Sequence, residues 1–382
     1  MKILVIHGKS GCDFWRTWLP CEEMRKQGLA EVKYLENRFM TAKDISDGLK
    51  WCDLAHIRGL FGVEGLTTLR QYQKLGVPVT IDLDDLHFNV SPFNPGYKNF
   101  GTEEIEVKDP KTGDIQWLWK DGENGFNIKD NKIKFHAYKS VLQEANLITT
   151  TTVYLKDAMV EISGRNDNIN VLPNAIDFDR WKPLDVRSRF ADTFRFGWAV
   201  SGSHGEDWIT FKAALLQFLV EHPDAKFVCL GDTYMDIREG LKDVKDQVEW
   251  YPFSDLWEGH YELRMPMLGL DVAIAPLADT EFNKCKSPLK FAEYTAFGWP
   301  VIAQKMEPYI SHIVHGETGL LAGTTEDWLN CLESLYQNKS LRSKLHFNAL
   351  FACKQMFDIK KVAREWVKAY KNLVGQPEII KT

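Results

Sequence analysis

Short apolar runs and amphipathic stretches alternate along this chain from its first residues. In the first half, the runs at 2–6, 32–35, 53–57, 77–83, 147–151 and 169–172 have the length and branched composition of buried strands. Helical spacing of apolar positions falls between them, for example at 13–27, 63–75 and 132–145. The second half repeats the theme, with strands predicted at 194–200, 226–230, 248–251, 272–276 and 301–303. A final helix is predicted over 358–373, where Val362, Trp366, Ala369 and Tyr370 share a face. Such alternation predicts an α/β fold with parallel sheets covered by helices on both sides. Two series of it predict two Rossmann-like domains facing a cleft, with ligands held at the carboxyl ends of the strands.

The join is expected in 172–183, where Pro173 and Pro183 bracket a run of turn formers. The first domain is then 1–183 with 358–382 returning to it, and the second is 184–357. One segment breaks the alternation. Residues 87–133 carry Pro92, Pro95, Pro110 and several glycines, with 115–119 as a hairpin strand. An insertion of that length after a strand end is expected to overhang the cleft and recognise an acceptor; a peripheral decoration or a dimer contact is the alternative.

Composition narrows the class. At 382 residues the chain is long enough for two cores, and 44% hydrophobic with 26% charged residues is ordinary for a globular protein. A net charge of −6 argues against a generally basic nucleic-acid binder. Seven scattered cysteines with no Cys-x-x-Cys pair point to reduced thiols and a cytoplasmic location, not to a disulfide frame or a zinc site. The opening apolar run is too short for a secretory leader, and no run of about 18 apolar residues suggests a membrane span. No basic amphipathic helix of the kind that docks on a membrane stands out.

The segment 282–303 holds the densest chemistry. Lys284 and Lys286 precede Ser287-Pro288, a helix-opening pair in which the hydroxyl is expected to cap free amides. Open amides at a helix start, with lysines beside them, suit a phosphate. Glu293 follows about two turns in, within reach of sugar hydroxyls. The small-residue turn Ser201-Gly202-Ser203-His204 follows a strand and is expected to bring amides to a phosphate. Gly8 and Gly11 lie in a glycine turn that follows the first strand and opens a helix, but it is not a P-loop, because Ile3 stands where that motif needs glycine. Tyr251 and Phe253 follow another strand end, as a nucleobase platform or as core. Asp82, Asp84 and Asp85 close a first-domain strand whose alternation sends Asp82 and Asp84 to one face. They are candidates for a general base, for acceptor positioning, for a metal pair or for an ordinary turn. Arg58 is a further cleft-edge candidate, and His56 is expected to be a satisfied, half-buried histidine.

The stretch DVAIAPLADTEFNKCKSPLKFAEYTAFGWPVIA, followed by HGETGLL, resembles the nucleotide-sugar domain of group 1 (family 4) glycosyltransferases of the GT-B fold. VLPNAID at 171–177 resembles the interdomain motif of the same family. The resemblance implies that Glu293 holds the donor ribose as the second Glu of a Glu-x7-Glu pattern. The first Glu would fall at Cys285, so the chain departs there, and Glu281 or Asn283 is the expected substitute. Lys286 and Lys290 would neutralise the diphosphate. The donor implied is a nucleotide-diphosphate sugar, most simply a UDP-sugar, transferred with retention, without a metal or a tightly bound cofactor. The expected acceptor is a glycan or lipid-linked sugar. Asp-x-Asp-Asp followed by 89–95 is also similar to transferases of tailed phages, some of which glycosylate hydroxymethylated pyrimidines in DNA; the chain would then act in the host cytoplasm, with Trp117 and Trp119 as a base pocket. A non-catalytic nucleotide-sugar binder and a nucleotide-sugar epimerase are the remaining readings.

Overall fold

The computed structural model describes residues 1–109, 112–190, 192–200, 204–231 and 235–375. The first sheet contains β1 (Lys2–His7), β2 (Glu31–Glu36), β3 (Leu54–Arg58) and β4 (Val79–Leu83). A separate antiparallel hairpin, β5 (Ile105–Lys108) and β6 (Ile115–Trp119), sits in the insertion. β7 (Leu147–Thr150) and β8 (Ile169–Val171) complete the first sheet, in the order β2-β1-β3-β4-β7-β8. The second sheet contains β9 (Phe194–Val200), β10 (Ala225–Gly231), β11 (Val248–Tyr251), β12 (Val272–Ala275), β13 (Val301–Gln304) and β14 (Leu320–Ala322). Its order is β11-β10-β9-β12-β13-β14, and every pairing in both sheets is parallel. Strand order therefore reverses between β1 and β3 in one sheet and between β9 and β12 in the other, the two places where a ligand crevice opens.

Strands buried on both faces need continuous apolar runs, and β9 is buried at all seven positions. The first helical segment starts at Gly11, earlier than its apolar spacing predicts, because Ser10 and Asp13 form a reciprocal capping box. It widens into a π-helical turn over Phe14–Trp18 before Leu19–Lys26 resumes the α-helix. The helix Ile128–Glu144 also starts early, capped by Asn127, which shortens the insertion. Within the insertion, Trp119 packs on Tyr97 and Phe126 and donates its Nε1–H to the Pro92 carbonyl at 2.6 Å.

The helix Ile359–Val374 lies on the first sheet. Tyr370 Oη is 2.5 Å from His56 Nδ1, and the Arg16 guanidinium lies 5.1 Å from the Trp366 ring. His56 is wholly buried, not half-buried, and burial depresses its pKa to about 4, so the ring is neutral. Contacts across the cleft hold the two sheets' carboxyl ends together. Trp257 stacks on His7 with centroids 5.4 Å apart and donates to the Ser10 carbonyl at 3.1 Å. Asn174 donates to Ser287 Oγ at 2.8 Å, and Tyr154 to Glu281 at 3.0 Å.

Candidate active site

A cavity of about 430 Å³ occupies the cleft where the two reversal points face each other. The first domain contributes Gly11, Cys12, Trp15, Arg16, Asp84, Asp85 and Asn174. The second contributes His204, Phe253, Ser254, Tyr261, Lys286, Ser287, Lys290, Glu293 and Tyr309, with apolar chains between them.

The helix Leu289–Ala296 presents Lys290 and Glu293 one turn apart. Glu293 is 2% exposed, and burial raises its carboxyl above the usual range despite Lys290 and Tyr261 beside it. Lys290 Nζ lies 3.2 Å from Glu293 Oε2, and the Tyr261 hydroxyl is the carboxylate's other polar neighbour. Ser254 Oγ is buried without a hydrogen-bond partner. An unsatisfied hydroxyl beside a buried charged pair is costly unless a ligand completes it. Lys286 joins them, its ammonium 5.2 Å from the Phe282 ring.

Opposite stand Asp84 and Asp85, beyond the end of β4. Arg58 donates to Asp84 at 2.9 Å and to Asp13 at 3.0 Å. Burial alone would raise the Asp84 carboxyl; Arg58, then His87 and Cys12, outweigh it and hold it below its usual range. Burial, and next the charge of Asp84, push the Asp85 carboxyl up. Two adjacent carboxyls with acidities driven apart suit different roles. Cys12, Asp84 and Asp85 bring ligand-type atoms within 4.8 Å of one another, but burial drives the Cys12 thiol well above its ordinary pKa.

His204 Nδ1 lies 2.6 Å from Asp207 Oδ2, and burial, then Lys286, depress the His204 pKa to about 4. Its hydrogen bond to His204 helps hold Asp207 ionised against its own burial. The pair therefore fixes a neutral imidazole with Nδ1–H donated to Asp207 and Nε2 left as an acceptor.

Several expected positions are spent elsewhere. Asp82 is wholly buried in an ion pair with Arg16 at 2.7 Å and lies outside the cavity lining. Alternation fails to group it with Asp84 because the strand stops at Leu83. Arg58 holds Asp84 and the 10–13 turn instead of facing an acceptor. Ser287 does not cap its helix: Pro288 stands at the cap, and the hydroxyl accepts from Asn174. Asn283 donates to Asp207 Oδ1 and to the Ala278 carbonyl, both at 2.9 Å, and does not line the cavity. Glu281 points outward to Tyr154 and Lys284, so neither it nor Asn283 stands in for a carboxylate at Cys285. Cys285 itself is fully buried, packed into the first domain's core.

Tyr251 donates to Glu249 outside the cavity, while Phe253, half exposed, lines it. Gly8 sits behind the cavity, where a Cβ would come within 2.9 Å of Asp13; Gly11 lines it. Trp119 belongs to the insertion's own core, and neither it nor the half-exposed Trp117 lines the cavity. Ser201 and Gly202 lie outside the described residues. Cys12, Arg16, Ser254, Tyr261 and Tyr309 reach the site through tertiary packing, without a local motif to announce them. All seven cysteines are free thiols. Among the described residues no helix is long and apolar enough to cross a membrane.

Residues 202–338 match the family model described as "Glycosyl transferases group 1". No curated protein matches the chain. Among solved structures, Anabaena Alr3699/HepE in complex with UDP and glucose superposes with a TM-score of 0.67 at 14% identity, covering 97% of this chain and 99% of its own. The same Anabaena protein is also known bound to UDP-glucose. Sucrose-phosphate synthase from Thermosynechococcus elongatus gives a TM-score of 0.67 at 13% identity, covering 98% and 99%. A glycosyltransferase from Rickettsia africae gives 0.63 at 12%, covering 98% and 99%. Residues 202–338 thus match a group 1 glycosyltransferase domain, and the whole chain shares the two-sheet GT-B fold of these structures.

Proposed function

We propose that the enzyme transfers a hexosyl group from a UDP-sugar to an acceptor hydroxyl, with retention at the anomeric carbon. The observation that carries the reading is Glu293: a buried carboxylate oxygen on the cavity wall, with Lys290 and the Tyr261 hydroxyl beside it, inside the segment that matches the family model. Ribose hydroxyls would satisfy that oxygen, and Ser254 and Phe253 would face the rest of the nucleoside. The complexes of the Anabaena neighbour with UDP and UDP-glucose support uridine as the base. Lys286 and Lys290 would hold the diphosphate and stabilise the charge that grows as the anomeric carbon–oxygen bond breaks. His204 Nε2, a fixed acceptor, is suited to a hydroxyl of the transferred sugar.

The acceptor oxygen would enter beside Asp85, from the first-domain side. In the retaining course its proton passes to an oxygen of the departing diphosphate, so Asp85 orients the acceptor and need not remove the proton. Asp85→Asn is then expected to lower kcat about tenfold with the donor KM changed less than threefold, since it acts only through the acceptor. A donor KM raised in parallel would move Asp85 to the donor side.

The reading is tested by UDP or GDP release from UDP-glucose, UDP-GlcNAc, UDP-galactose and GDP-mannose. Each donor is offered with a soluble glycan, a lipid-linked sugar or hydroxymethylated DNA, and product stereochemistry is read by proton NMR. Acceptor-dependent release from one UDP-sugar with retention is expected. A new sugar nucleotide formed without acceptor would mean epimerisation, and binding without release would mean a sensor; either overturns the proposal.

A further inference from the structure

The helix Lys339–Phe357 has no aspartate or glutamate in nineteen residues, but holds Lys339, Arg342, Lys344 and Lys354. Together with the helix that follows it, residues 339–374 carry nine Lys and Arg against two acids, in a chain whose net charge is −6. The excess of positive charge in this segment is greatest on the first of its two helices, since Lys360 of the second pairs with Asp179.

On that helix Leu345, Ala349, Cys353 and Phe357 are buried, and the face they form packs against the helix that carries Glu293. The opposite face holds Lys344, Phe347, Phe351 and Lys354, spaced by three, four and three residues and so aligned along one side. Phe347 is 73% exposed and Phe351 68% exposed. Lys339 and Lys344 have no carboxylate partner among the described residues. Two further exposed apolar chains, Ile310 and Val314, lie in the segment tied to this helix by Asn348 donating to the Glu317 carbonyl at 3.0 Å and by His312 against Phe357. Two exposed phenylalanines a turn apart, bracketed by lysines, are not what a freely solvated helix face carries.

We propose that this face docks the enzyme onto an anionic lipid surface. The phenylalanines would enter the headgroup–acyl boundary, and Lys344 and Lys354 would meet lipid phosphates on either side. Charge decides between this occupant and a second copy of the chain. A two-fold pairing of an acid-free helix with itself would set lysine against lysine, whereas an anionic surface complements it. The face escapes notice in the sequence because the helix is apolar on its buried side as well, so its amphipathic pattern is blurred. Docking here would leave the cleft open, since the buried side of the helix, not the docking side, adjoins the site.

The test is co-sedimentation of the full chain with vesicles of phosphatidylcholine alone and of phosphatidylcholine with phosphatidylglycerol, at low and high salt. No nucleotide sugar is present, so the result does not depend on the transferase reading. Wild type is expected to bind only the anionic vesicles, more weakly at high salt. Phe347→Ser with Phe351→Ser should reduce binding at least tenfold, and Lys344→Glu with Lys354→Glu at least thirtyfold, given the contribution of each basic residue near an anionic surface. All four changes are on the exposed face, and unchanged thermal melting checks the fold. Absence of binding to anionic vesicles at low salt, or binding that both double variants retain, overturns the proposal. A wild-type dimer that the serine variant dissolves, seen by sedimentation equilibrium, would assign the face to a second copy instead.

Discussion

Asp82→Ala is expected to destabilise the protein by about 3–5 kcal/mol, the cost of leaving a buried partner charge uncompensated. Asp82 is 0% exposed and accepts from Arg16 Nη2 at 2.7 Å, from Arg16 Nε at 3.0 Å and from Thr149 Oγ1 at 2.5 Å. Arg16 is 1% exposed, so its charge would be left buried without its carboxylate partner. Its other nitrogen donates to the Leu172 carbonyl at 2.7 Å and to Asn174 Oδ1 at 3.1 Å, and Asn174 in turn donates to Ser287. One chain of polar contacts thus runs from the middle of the first sheet, through the interdomain turn, to the residue after Lys286. Losing its anchor should lower the denaturant midpoint and loosen the donor loop together. The measurement is equilibrium urea unfolding. A midpoint within error of wild type, combined with lost turnover, would return Asp82 to the list of reacting groups.

That example marks how much the sequence discloses. The sheets are legible because strands buried on both faces require apolar runs, and those runs fall where β1, β4 and β9 form. The pairing of Lys290 with Glu293 is legible because helix geometry is local: three residues apart means one face. Asp82 and Asp84 are not legible in the same way, since strand alternation holds only while the strand continues, and β4 ends between them. Asn283 and Ser287 are polar residues in the right segment whose hydrogen bonds go to Asp207 and Asn174, partners 76 and 113 residues distant. Cys285 shows why this chain departs from the family pattern. The position is fully buried in the first domain's core beside Phe282, where an ionised carboxylate would be heavily penalised. Ser254 and Tyr261 come from segments with no motif, and the packing of the second domain brings them beside Glu293.

Glu293→Gln is expected to weaken donor binding by about ten- to hundredfold while making the unliganded protein more stable. The affinity loss is that of charge-assisted hydrogen bonds to hydroxyls reduced to neutral ones. The gain in stability has the opposite origin. Burial raises the Glu293 carboxyl above its ordinary value of 4.5, so the native state holds the proton more tightly than the unfolded chain. Such a group destabilises the fold as pH rises from that ordinary value through the native one, and its full cost applies above the native value. Glutamine removes the cost, and Lys290, about a quarter exposed, can turn to water for the hydration its partner supplied. The melting temperature of Glu293→Gln should therefore exceed that of wild type at neutral pH, and the gap should close as pH falls below 4.5. Excess UDP-sugar should reverse the order at neutral pH, because only the wild type gains the full binding free energy. Calorimetric titration supplies the affinities and differential scanning the melting temperatures. Donor affinity left unchanged would remove Glu293 from the donor site. A variant less stable than wild type at neutral pH would mean that the carboxylate is already satisfied without a ligand, and the cavity would lose the feature that marks it as a site for one.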